Sequence, residues 1–205
     1  MDSALVLLSP LLLIFLGAAL AALFGIPSLN NRLSINRLCW LVAIFPAVAF
    51  ILLASAVPAL AQGQVLVWRI EWLPTLGLSL GLYLDSLAAL FALLITSIGT
   101  IVVVYTGQYF QGKQSAWRFL AYLMVFMGAM LGLVMAGDVI TLFIFWEATS
   151  ITSYLLVAYD TENEEARKGA FRALFITGGG GIALLAGLLF VSSSAGSTEW
   201  TTILQ

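Results

Sequence analysis

The chain has 205 residues, of which 62% are apolar and only 9% charged, a composition that excludes a soluble globular domain and fits a membrane protein. It has no histidine and one cysteine, which excludes a histidine metal site or relay, an internal disulfide and a cysteine-ligated cluster within this chain. No cofactor, metal site or nucleic-acid partner is expected, and the net charge of −2 says less than the distribution of the charges.

Hydropathy and turn residues predict an all-α membrane protein of about six transmembrane helices in a single region, residues 1–205. Span one covers 3–24. It lacks a basic leading segment and a small-residue cleavage site, so it reads as a retained helix and not a signal peptide. Gly25-Ile26-Pro27-Ser28 ends it, and Asn30-Asn31-Arg32 begins a polar loop. Span two covers 38–60 and contains Pro46 and Pro58. Residues 65–72 and 78–83 are β-branched and aromatic with some alternation, broken by Pro74 and Gly77. They predict a short external β-hairpin with Trp68 and Trp72 in the interfacial belt and Arg69 and Glu71 solvated. Span three covers 84–106, with Asp85 placed to cap it. Span four covers 117–136, where Met124, Met127, Met130 and Met135 are adaptable packing. Gly137-Asp138 turns directly into span five, 138–159, so these two spans should form a tight antiparallel pair. Span six covers 168–191, and its Gly178-Gly179-Gly180-Gly181 run permits close helix approach while weakening the helix. Residues 192–205 read as containing no finished element.

Span five carries the chemistry. Glu147 lies near its middle, where a charged side chain costs about 2.5–3.5 kcal/mol even on insertion scales. Such a group needs a partner, a proton or a wet cavity. Phe143, Ile144 and Trp146 desolvate the preceding turn, which should raise the carboxyl pKa unless a cation is near. Thr149, Ser150, Thr152 and Ser153 follow within two turns, and Ser150 and Tyr154 share the face of Glu147. Thr149, Ser150, Ser153 and Tyr154 are therefore candidates for a polar path to a proton-transferring Glu147. The competing structural reading is a protonated glutamate and hydroxyls that only bond helix to helix.

Seven of the eight basic residues (Arg32, Arg37, Lys113, Arg118, Arg167, Lys168, Arg172) fall in or beside the first, third and fifth loops, and only Arg69 falls on the other side. The positive-inside rule then places those loops in the cytoplasm and the amino terminus outside.

Around Glu147, Phe145-Trp146-Glu147-Ala148-Thr149-Ser150 resembles the fifth span of the antiporter-like proton-translocating membrane family. That family includes the large subunits of Mrp-type Na+/H+ antiporters and the antiporter-like subunits of respiratory complex I. Residues 84–91 (Leu84-Asp85-Ser86-Leu87 onward), followed by Leu93-Leu94-Ile95 and Ile98-Gly99, resemble its third span. Ala170-Phe171-Arg172-Ala173-Leu174-Phe175-Ile176-Thr177 and the glycines after it resemble its sixth. The wording of residues 145–156 is most similar to the A subunit of Mrp-type Na+/H+ antiporters, in its amino-terminal part. The resemblance covers residues 75–205 and, more loosely, the first two spans.

The resemblance implies part of a multisubunit monovalent cation/proton antiporter in the cell (inner) membrane, a component of a transporter and not an enzyme in its own right. Glu147 would be the proton-loading acid of the first half-channel, paired with a lysine on a seventh span. This sequence stops before that span, so the expectation is either a subunit split between two polypeptides, with a companion chain supplying span seven and the rest of the module, or a truncated product. Other membrane subunits, Na+ or another monovalent cation, H+ and the lipid bilayer are the implied partners. Two alternatives stand beside this: a proton-translocating module of a complex I-like NADH/quinone oxidoreductase, and a scaffold without transport of its own.

Overall fold

A computed structural model describes residues 3–25, 34–73, 78–110, 116–160 and 163–203. Six helices long and apolar enough to cross a membrane follow one another: α1 (Ser3–Leu23), α2 (Ile35–Leu60), α3 (Ser86–Tyr109), α4 (Ala116–Val134), α5 (Val139–Val157) and α6 (Glu164–Ala195). A two-stranded antiparallel sheet, β1 (Leu66–Leu73) and β2 (Leu78–Leu84), lies between α2 and α3, and a short helix α7 (Trp200–Ile203) follows α6. The expected fold class and hairpin are both present. The Arg32 loop, residues 26–28, the Pro74–Gly77 turn and the Lys113 loop lie outside the described residues.

Local sequence sets the helix starts. Ser34, Asp85, Asp138 and Asn163 cap α2, α3, α5 and α6, each accepting a backbone N–H three residues on. Asp85 therefore does the capping that its position predicts, accepting from the Ala88 N–H at 2.8 Å. The Asn163 cap starts α6 four residues before the apolar run. Glu164 and Glu165 then sit at the positive end of its dipole, so the first turn is helical although too polar to span. α6 also continues helical through Gly178–Gly181 and ends only where Gly196 takes a left-handed conformation (φ +69°).

α1 packs against α2 and α4, α2 against α3, α4 against α5, and α5 against α6. Leu7, Ile14, Leu53, Leu120, Met124 and Leu131 are fully buried where α1, α2 and α4 meet. In lipid the hydrophobic effect does not drive helices together, so close contact between small and large residues must hold them. The contacts are of that kind. A Cβ at Gly128 would come within 2.8 Å of Phe15, and one at Gly132 would collide with the ring of Phe145. Met127 lies against Gly99, as its adaptable side chain allows.

The hairpin pairs Leu66 with Leu84 through Ile70 with Leu80, with an irregularity between Glu71 and Leu73. Its two tryptophans part company. Trp68 packs on the core, whereas Trp72 is exposed. Arg69 is not merely solvated as expected: it forms an ion pair with Glu199. Residues 192–203 also differ from expectation. α6 runs on to Ala195, and the segment before α7 bonds back onto the α4–α5 turn, with Val139 N–H donating to Thr198 O at 3.0 Å. Backbone groups of that turn, outside the helical ladders, need hydrogen-bond partners that hydropathy does not reveal.

Candidate functional site

Glu147 points from the middle of α5 towards α6. Its Oε1 is buried and has no hydrogen-bond partner among the described residues. It lies over Gly181, where a Cβ would collide with it and would also meet Trp146 at 3.6 Å. The last glycine of the run is thus the socket for the carboxyl group. Gly178, Gly179 and Gly180 have nothing comparable near them. A buried polar atom without a partner costs about 1–3 kcal/mol, and more if charged. That oxygen is free to take a proton, a water or a cationic partner.

The hydroxyls after Glu147 are occupied with their own helix. Thr149 and Ser150 both donate to Trp146 O, at 2.7 and 3.2 Å, and Ser153 donates to Ser150 O at 3.2 Å. Each oxygen keeps acceptor capacity, so each can still receive a proton donor. Ser150 is buried. Tyr154 meets Phe171 of α6 edge-on at 5.3 Å, and Phe171 in turn stacks on Phe175. Glu147, Ser150 and Tyr154 therefore mark one strip of α5; of these and of Thr149 and Ser153, only Ser150 is buried, the others being partly exposed.

The basic residues of α6 do not approach Glu147. Lys168 pairs with Glu164 at 2.8 Å on an exposed turn, and Arg172 is exposed. Gly181 lies nine positions beyond Arg172 along the helix, roughly 13 Å at 1.5 Å per residue.

Sequence reasoning misses a second polar cluster, at the hairpin end of α5. Asp138 is fully buried, and it accepts from the Thr141 N–H at 2.8 Å and the Thr141 hydroxyl at 2.6 Å. The N–H of Gly81 in β2 donates to the Thr141 hydroxyl at 3.0 Å. Gly137 N–H donates to Gly81 O at 2.8 Å, which ties the start of α5 to the hairpin. The only local signal is an Asp three residues before a Thr, the pattern of a self-capping helix start.

Comparison with known proteins agrees with this architecture. Residues 70–120 match the family model described as "NADH-Ubiquinone oxidoreductase (complex I), chain 5 N-terminus", and residues 136–205 match "NADH:quinone oxidoreductase/Mrp antiporter, TM". A probable K(+)/H(+) antiporter A/B subunit of Rhizobium meliloti (strain 1021) is 41% identical over 97% of this chain and 19% of the relative. The A1 subunit of the Na(+)/H(+) antiporter of Staphylococcus haemolyticus (strain JCSC1435) is 38% identical over 84% of this chain and 21% of the relative. The structure of the Mrp complex from Dietzia sp. DQ12-45-1b contains a chain that superposes with a TM-score of 0.80 at 27% identity, over all of this chain and 21% of that one. The chain thus spans about a fifth of the length of the curated relatives it matches. With six apolar helices in the family's order and both family models matched in sequence, the chain is a multi-pass membrane protein of the antiporter-like family shared by Mrp antiporters and complex I, and it is similar to the amino-terminal part of the Mrp antiporter's A subunit.

Proposed function

We propose that this chain forms the amino-terminal part of a multisubunit monovalent cation/proton antiporter, with Glu147 as the proton-loading acid of the first half-channel. The observation that carries this reading is the mid-span carboxyl oxygen of Glu147, buried against Gly181 without a partner among the described residues. A group held in that state takes up a proton without first breaking a hydrogen bond from any described residue to that oxygen. Ser150 and Tyr154 on the same strip, with Thr149 and Ser153 beside them, supply hydroxyls along which a proton can pass. The lysine that tunes Glu147 comes from the rest of the module. A cation close to the carboxylate favours its charged form and, when distant, lets it take up a proton. The outer face of α6, with Phe175, Ile176, Ile182 and Phe190 exposed, is where that remainder packs. Other membrane subunits complete the complex in the cell (inner) membrane, and the amino terminus faces outward.

Glu147→Gln tests the acid. Gln keeps the shape and most of the hydrogen bonding but cannot change charge. Ion-dependent ΔpH in everted vesicles should be abolished at normal levels of the assembled complex, and Glu147→Asp should retain part of it. Full activity of Glu147→Gln would instead favour the scaffold reading, because helix-to-helix hydrogen bonds in membranes average only about 0.6 kcal/mol and Gln supplies them as well.

Orientation is tested by cysteine labelling: positions 113 and 164 should label from the cytoplasm and position 62 from outside. Native Cys39 is buried and gives no background. A second reading, a redox-driven proton-translocating module, follows from the family model that names both classes. Companion chains that bind quinone and iron–sulfur clusters, purified with the intact complex, would decide for it.

A further inference from the structure

At the hairpin end of α5 a cavity of about 30 Å³ lies between β2 and the helix start, bordered by Arg69, Ser79, Gly81, Asp138 and Glu199. It is large enough for one water-sized occupant. Ser79 is 1% exposed, and its Oγ has no hydrogen-bond partner among the described residues. Residues 79 and 81 lie on the same face of β2, and a Cβ on Gly81 would come within 3.0 Å of Asp138 Oδ2, so that face looks onto the carboxylate. Arg69 is paired with Gly81 across the hairpin and therefore shares this face, from which it reaches Glu199. A larger cavity of about 530 Å³ also borders the Arg69–Glu199 pair, along with Ser192 and Ser193. The Ser192 hydroxyl is likewise buried without a partner among the described residues.

We propose that the cavity between Asp138 and Ser79 binds one small monovalent cation, with the Arg69–Glu199 ion pair standing between it and the larger polar cavity. The donors are all oxygens, as hard cations require. Asp138 and Glu199 against Arg69 leave one net negative charge, which suits a monovalent and not a divalent ion. Each Asp138 oxygen accepts one hydrogen bond from Thr141 and keeps a free acceptor direction. The Ser79 hydroxyl supplies the second ligand, which explains a buried oxygen with no protein partner. Glycine at position 81 lets the carboxylate approach the strand closely enough to share an ion with Ser79.

This inference takes from the proposed function only that a monovalent cation reaches this end of the bundle. Equilibrium binding of radiolabelled Na+, with K+ as the second probe, is measured on the assembled complex with this protein at its full length. Asp138→Asn keeps the cap, since Asn caps as well as Asp, but removes the charge. Half-saturation for the monovalent ions should weaken at least about ten-fold. Ser79→Ala removes a ligand without touching the cap and should weaken it several-fold. Arg69→Gln should tighten it about three-fold by unmasking Glu199. Glu147→Gln should leave this binding unchanged even while it abolishes proton movement, so the two ideas fail separately. Unchanged half-saturation in both Asp138→Asn and Ser79→Ala would overturn the site. So would saturation by Ca2+ with none by Na+ or K+. Should Asp138→Asn not assemble, Ser79→Ala alone decides.

Discussion

The packed block α1–α4 and the α5–α6 edge use the same residue types for different ends. In α1 and α4, 44% of the most apolar stretch is buried, against 6% in α6. Glycines in the block receive side chains: Gly128 takes Phe15, and Gly132 takes Phe145 from α5. Gly181 of α6 receives a carboxyl group, and its three preceding glycines receive nothing among the described residues. The contrast shows how one motif, a small residue facing a large one, serves as mechanical fit where the neighbour is apolar and as a chemical socket where it is ionisable. The exposed α6 face also explains why its long apolar run does not act as core here. It packs along one spanning helix, and the rest of its surface is left for lipid or for the remainder of the module.

Substitutions at these glycines can break the comparison. The largest effect is expected for Gly181→Ala. Its methyl group would displace the Glu147 carboxyl group, and antiport by the assembled complex should fall about ten-fold or more with assembly unchanged. Wild-type transport rates in that variant would show that the carboxyl position does not matter. Gly132→Ala should act on stability instead. Crowding the Phe145 ring costs about 1–3 kcal/mol. Thermal unfolding of the detergent-solubilised complex, followed by size-exclusion chromatography, should shift downward, with the residual folded fraction still active. Gly179→Ala is the smallest and has the opposite sign. It meets open space in a helix interior, so it should be neutral or raise stability by about 0.5–1 kcal/mol. A loss of transport there with no loss of assembly would show that the whole glycine run, and not Gly181 alone, forms the path. A similar split separates the start of α5 from its middle. Asp138→Asn should spare ΔpH-driven proton uptake at saturating cation, whereas Glu147→Gln should not at any cation concentration.

Much of the architecture is legible in the chain itself, for local reasons. Six spans follow from apolar runs of sufficient length, because each backbone must satisfy its own hydrogen bonds in lipid. The hairpin follows from alternation bounded by Pro and Gly, and the α3 start follows from Asp85. Glu147 stands out because the cost of a carboxyl group in a span depends mainly on its own position. The start of α6 escapes such reading because a polar first turn is invisible to hydropathy yet favourable to a capped helix.

Tertiary structure alone decided which partner each of these residues meets. The Gly81–Thr141 hydrogen bond joins residues 60 apart in sequence, and Arg69 with Glu199 and Glu147 with Gly181 join residues further still or on separate helices. No periodicity carries such pairings. Four consecutive glycines look alike in sequence, and only the rotation of α6 against α5 selects Gly181 to hold the carboxyl group. The buried, unpartnered Ser79 hydroxyl is likewise unreadable in sequence, since burial at that position depends on the α4–α5 turn folding over the strand, a contact between distant segments.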